Sequence, residues 1–179
     1  MTSKITGNML SRMVRASFFD KHLFEEVESD RSATTQALLV VVIVALSTGI
    51  ASLTKTGLFG LFVGVFAAIV GWVIWAYIVY LIGTKLLGTS DTHADWGQLA
   101  RTVGFAQSPG IFRALGILPA VGDTIFVAAS LWMLITTVIA VRQALDYTST
   151  IRAVGVVLLG FIPYAIFMTL LLTILGQAE

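Results

Sequence analysis

Cysteine is absent from this 179-residue chain, proline occurs three times, and charged residues make up 12% of it. The first absence excludes disulfides, thiolate metal centres and thiol nucleophiles together. The charged share is about half the ~25% usual in soluble domains. What charge there is avoids four long stretches: residues 37–53, 58–82, 124–141 and 153–175 contain no Asp, Glu, Lys, Arg or His. A proton-coupled transporter needs an intramembrane carboxylate or histidine, and these stretches offer none. An integral enzyme needs an activated nucleophile or an acid–base pair, and hydroxyls, Gln and aromatics alone do not supply one. No catalytic residue, metal or cofactor is therefore expected. The net charge of +1 gives no case for a nucleic-acid partner.

What is present is apolar. Mean hydropathy is +0.92 and 57% of residues are hydrophobic. A helix rises ~1.5 Å per residue, so ~20 apolar residues cross a hydrocarbon core of ~30 Å. All four stretches qualify. The segment 97–118 is long enough too, but it carries Arg101, Gln107, Ser108, Pro109 and Arg113. Pro109 removes a backbone donor, so a helix there is kinked or broken and needs neighbours to shield it.

Charge placement favours counting that segment as a crossing. With five spans and an inner N-terminus, Lys4, Arg12, Arg15, Lys21, Arg31, Lys85, Arg101, Arg142 and Arg152 lie inside, and Lys55 and Arg113 outside, nine against two. With four spans Arg142 and Arg152 move out and Arg113 moves in, giving eight against three. The positive-inside rule prefers the first arrangement. The chain thus reads as all-α: residues 1–35 form a cytoplasmic amphipathic segment, and residues 36–179 a bundle of five transmembrane helices over about 36–54, 57–83, 97–118, 122–143 and 152–176. The C-terminus is expected outside. The first 35 residues hold no signal-like apolar core, so the first span is expected to act as its own anchor.

Local patterns refine this. Gly57, Gly60, Gly64, Ala67 and Gly71 recur at steps of three and four, the small-residue stripe that lets helices approach closely, within the monomer or against a second copy. Trp72 is expected deep in packing, and Pro163 is expected to kink the last span. In the N-terminal segment Ile5, Met9, Met13 and Ala16 share a helical face beside Lys4, Arg12 and Arg15, and a second helix follows Asp20. That pattern fits a helix lying among anionic headgroups, or one packed beneath the bundle's own loops. The loop containing Asp91, His93 and Asp95 reads as turns and a helix start at Thr92-x-x-Asp95, ahead of a metal site. In a five-span bundle Arg113 and Asp123 are expected to form an ion pair or a shared polar cluster at the outer face, and Arg101 and Arg142 to sit near Asp146, Asp91 or Asp95 at the inner one. The alternative is that each arginine reaches separately for phosphate headgroups.

Trp96, Gln98, Leu99, Arg101, Gly104, Phe105, Ala106 and Pro109, followed by Trp132, Val141-Arg142-x-Ala144 and Arg152-Ala153, carry a further signal. The set resembles the bacterial branch of the Yip1 domain family over about residues 20–175. The resemblance implies a five-helix integral membrane protein of a bacterial cytoplasmic (inner) membrane, with a cytoplasmic N-terminus. Eukaryotic members act in vesicle traffic and contact Rab-type GTPases, but the Asp-Leu-Tyr-Gly-Pro motif of their cytosolic region is missing here, so Rab binding is not implied. For bacterial members the resemblance implies a fold and no activity. Among function classes, a scaffold, adaptor or accessory subunit needs only a bundle, an interface and an amphipathic element, with a membrane-protein partner or self-association. The alternative is a small-solute transporter or channel built around the helix broken at Pro109.

Overall fold

Residues 7–90 and 92–176 are described by the computed structural model, and every regular element among them is helical. Two short helices come first. α1 (Met9–Ser17) is capped by Asn8, whose side chain accepts from the Leu10 amide, and α2 (Lys21–Ser29) by Asp20, which accepts from the His22 amide at 3.0 Å. Phe19, at φ 62°, turns the chain between them.

A long apolar element, α3 (Ala33–Leu81), is interrupted at Gly57, whose φ of 64° and ψ of −171° belong to a region open essentially to glycine. Its two arms, α3a (Ala33–Leu53) and α3b (Thr56–Leu86), form a hairpin. Gly49 lies against Leu61, and Gly104 lies against both Ala37 and Trp72. In a straight helix Ala37 and Trp72 would stand ~50 Å apart. The last turn of α3b, Ile82–Leu86, is π-helical. Then follow α4 (Trp96–Ala106), a 3₁₀ helix (Ser108–Ile117), α5 (Gly122–Ala144) and α6 (Thr150–Gly176).

Among the described residues four helices are long and apolar enough to cross a membrane: the two arms of α3, α5 and α6. The predicted span 97–118 is split, with Pro109 in the first turn of its 3₁₀ half, as the proline requires. α6 continues through Pro163 without a break in helical assignment.

The amphipathic segment belongs to the bundle. Met13 and Ala16 of α1 and Leu23, Phe24 and Val27 of α2 share one buried cluster with Ala37 and Val40 of α3a and Phe105 of α4. The packed alternative therefore holds for the face carrying Met13 and Ala16, while Ile5 lies outside the described residues. A different edge of α1 is left bare: Leu10, Val14 and Phe18, at i, i+4 and i+8, are 62%, 56% and 75% exposed. A second cluster, around Val79, Leu99, Val141 and Ala153, joins α3b, α4, α5 and α6.

Candidate functional site

Arg12 is the largest fully buried side chain, and its position explains the turn of α1. Its Nε donates to Glu26 Oε1 at 2.9 Å, one terminal nitrogen to Asp30 Oδ2 at 2.8 Å, and the other to Gln36 Oε1 at 3.0 Å. Arg15 binds the second oxygen of Glu26 at 2.6 Å and Asp20 at 2.7 Å. A guanidinium offers five N–H donors in a fixed fork, and here one fork fastens α1 to α2 and to the start of α3a. These contacts hold the Asp20 and Glu26 carboxyls below their usual range; Ser32, with Arg12, does the same for Asp30. Arg12 is 2% exposed at its side chain and Glu26 and Asp30 are 31% and 27%, so the arginine is held in a dry position by carboxylates that keep part of their hydration.

Two side chains of the bundle complete the attachment. Arg101 donates to the carbonyls of Val27, at 2.9 Å, and Glu28, in the last turn of α2. Trp132 donates its indole N–H to the carbonyl of Ser17, the last residue of α1, at 2.8 Å. The final carbonyls of a helix have no partner within it and carry its negative pole, so a cation and an N–H are suitable caps. Trp132 also stacks on Phe112, with centroids 5.6 Å apart and planes 8° from parallel. Beside Arg101, burial and the nearby Asp146 push the Glu28 carboxyl up to about 7.

The other positions of the sequence motif are structural in the same sense. Asp95 caps α4 by accepting from the Gln98 amide at 2.8 Å, and the Gln98 side chain returns to the Asp95 amide at 2.6 Å. This capping box begins three residues later than the predicted Thr92 start, because Thr92 instead bonds Thr89. Asp91 lies outside the described residues, among which no three candidate metal ligands cluster. Trp96 reaches the Val73 carbonyl at 3.4 Å. At Gly104 a Cβ would stand 2.8 Å from Ala37 Cβ and 3.2 Å from Trp72 Nε1, so only glycine admits this approach of α4 to both arms of α3. Trp72, buried as expected, donates to the Ala100 carbonyl at 2.8 Å. Arg142 holds the α5–α6 turn through Tyr147 O, Thr148 O and Thr150 Oγ1. Arg101 and Arg142 thus take backbone carbonyls, and neither forms an ion pair among the described residues.

Arg113 and Asp123 do not form the expected ion pair. Arg113 donates to Ser130 Oγ at 2.9 Å and lies over the Phe126 ring, 4.9 Å from its centroid, and no carboxylate of the described residues is within 4.0 Å. Asp123 is exposed at the start of α5, where the helix dipole favours a negative charge. The guanidinium is instead drawn inward, to a serine one turn beyond Phe126.

The glycines of α3b divide similarly. Gly57 makes the hairpin turn, Gly60 faces Thr56 of its own arm, and a Cβ at Gly64 would meet nothing within 4 Å. Gly71 does pack closely on a neighbour: a Cβ would be 2.9 Å from the Tyr164 hydroxyl of α6. Gly60, Gly64 and Gly71 therefore border a cavity of about 640 Å³ between both arms of α3, α4, α5 and α6. Thr48, Ser52, Gln107, Arg113, Ser130 and Thr137 supply its polar atoms. Periodicity located the stripe but could not distinguish a missing side chain that admits a helix from one that leaves a void.

Comparison with curated proteins and with solved structures returned no match. A family model, the Yip1 domain, matches residues 16–172, a range running from the last turn of α1 almost to the end of α6. With its apolar helices and a motif that fastens α1 and α2 to the bundle, the chain is an integral membrane protein belonging to the Yip1 domain family.

Proposed function

We propose that the protein is a non-enzymatic membrane scaffold, adaptor or accessory subunit of the bacterial branch, with five spans, an inner N-terminus and an outer C-terminus. The observation that carries this reading is the cap formed by α1 and α2. Arg12, Arg101 and Trp132 hold it rigidly on the bundle, yet it leaves Leu10, Val14 and Phe18 bare. A fixed apolar edge beside exposed Lys21 and Arg31 suits the headgroup layer of an anionic leaflet, at about 1 kcal/mol per basic residue. The same edge offers a membrane-protein partner or a second copy a preorganised surface.

The fifth crossing draws on length as well as charge. Eleven residues of α4 at ~1.5 Å and ten of the 3₁₀ helix at ~2.0 Å give about 36 Å, more than the ~30 Å of a hydrocarbon core. Purification of the full chain from its native membrane in mild detergent tests the adaptor role. A stoichiometric membrane-protein partner, lost from Leu10→Ser and Phe18→Ser variants that still fold, is the expected result. A second reading, passage of a small solute, is favoured by the partly polar cavity beside Gln107. Solute flux in reconstituted vesicles, with no partner in native membranes, would establish it in place of the first.

A further inference from the structure

The cavity and Arg113 belong together. Ser130 lies eight residues into α5, so Arg113 is held about 12 Å from that helix's start, at a depth where a charge is expensive. Ser130 Oγ gives its own proton to the Phe126 carbonyl at 2.7 Å, and the Phe126 ring contributes only its π-face. The Nε–H of Arg113 is buried without a hydrogen-bond partner, alone in this among the buried side-chain polar atoms of the described residues. Arg113 also lines the void, and a cation with no carboxylate of the described residues within 4.0 Å and a void at its side is complementary to an anionic oxygen group.

The rest of the void is not shaped for a bare anion. Its walls beyond Arg113 are largely apolar, running past Gly64 and Leu134 to Trp75 and Phe161. Its size falls within the ~300–1,000 Å³ typical of small-molecule sites. We infer that the cavity binds a single-chain anionic amphiphile, with a phosphate or carboxylate headgroup on Arg113 and the chain lying along the glycines of α3b. The inference stands apart from the adaptor reading and needs neither a partner nor transport.

Thermal unfolding of the full chain in a nonionic detergent tests it, with titrations of oleate, lysophosphatidylglycerol, lysophosphatidylcholine and inorganic phosphate. A saturable rise in midpoint with oleate or lysophosphatidylglycerol is expected, and whichever acts at lower concentration identifies the headgroup and its source. The zwitterionic lipid and phosphate alone should be at least about tenfold weaker, since each lacks either net charge or chain. Arg113→Gln should weaken the response about tenfold and Arg113→Lys less. Gly64→Phe fills the void without touching Arg113, so it should abolish the response even if Arg113→Gln fails to fold. An undiminished response in Gly64→Phe, or an equal one to lysophosphatidylcholine or to phosphate, would overturn the assignment.

Discussion

Trp132, midway along α5, and Ser17, at the end of α1, are joined by a 2.8 Å hydrogen bond across 115 positions of sequence. An apolar helix therefore reads the position of an amphipathic one, and this link between α5 and α1 is a single N–H. Trp132→Phe keeps an aromatic ring against Phe112 and removes that donor. It should lower stability by about 1 kcal/mol, and more if the Ser17 carbonyl stays dry. Limited proteolysis between Ser17 and Lys21 should quicken; an unchanged cleavage rate would mean the cap is held without this bond.

Arg101 makes a two-carbonyl contact that a lysine's compact ammonium cannot reproduce in the same geometry. Arg101→Lys should be intermediate and Arg101→Met more severe, with a loss of about 1.5–3 kcal/mol read from unfolding in detergent. Equal stability of the two variants would show that charge alone matters at this position.

Glu28 gives a pH dependence of unusual sign. Its carboxyl is raised from 4.5 to about 7, chiefly by burial. Between those values the folded state keeps a proton that the unfolded state has released, so this group's contribution to stability falls as pH rises from 4.5 to 7 and then levels off. Asp20, Glu26 and Asp30, held low by their hydrogen bonds, act oppositely: their contribution is present at neutral pH and is lost in acid. Glu28→Gln should flatten the fall between 4.5 and 7 while leaving the acid limb. Thermal midpoints across that range check it, and an unaltered slope would assign the dependence elsewhere.

The glycines separate into two kinds. Gly104→Val places a branched side chain against Ala37 and Trp72 and should cost about 1–3 kcal/mol or more. Gly64→Leu meets no neighbour and should be nearly neutral in the same assay. Comparable losses at both positions would mean that Gly64 is covered, for example by a second copy.

Orientation is decided by reporters at the two ends. A fusion before Thr2 should report the cytoplasm and one after Glu179 the opposite side, following the nine-to-two placement of Lys and Arg. Both ends on one side would establish four crossings and make the α4 and 3₁₀ pair a re-entrant element.

Long uncharged runs and Pro109 were legible in the sequence because each acts locally: length in lipid dictates a helix, and a missing N–H dictates its end. Trp132 is marked by motif without a partner and Arg142 is expected near carboxylates, whereas their acceptors are chiefly carbonyls, which every residue has. The pattern around Arg12 fits lipid and packing alike, because the carboxylates that settle its place lie beyond α1, on Glu26 and Asp30; the rotation of α1 that buries Met13 goes with that pairing. Arg113 was matched to the nearest acid in sequence, Asp123, although it takes a hydroxyl one turn beyond Phe126. Gly57 was counted into a stripe, and its φ of 64° makes it a turn.

That turn limits how the protein can be approached. Within Ala33–Leu81 Gly57 alone leaves helical geometry, so the hairpin closes with almost no loop beyond its helices. A soluble ligand arriving at that end finds a blunt tip, whereas the opposite end carries two whole helices and most of the ionic network. Insertions for labelling or affinity capture should therefore fail at Gly57, where no other residue readily supplies the bend.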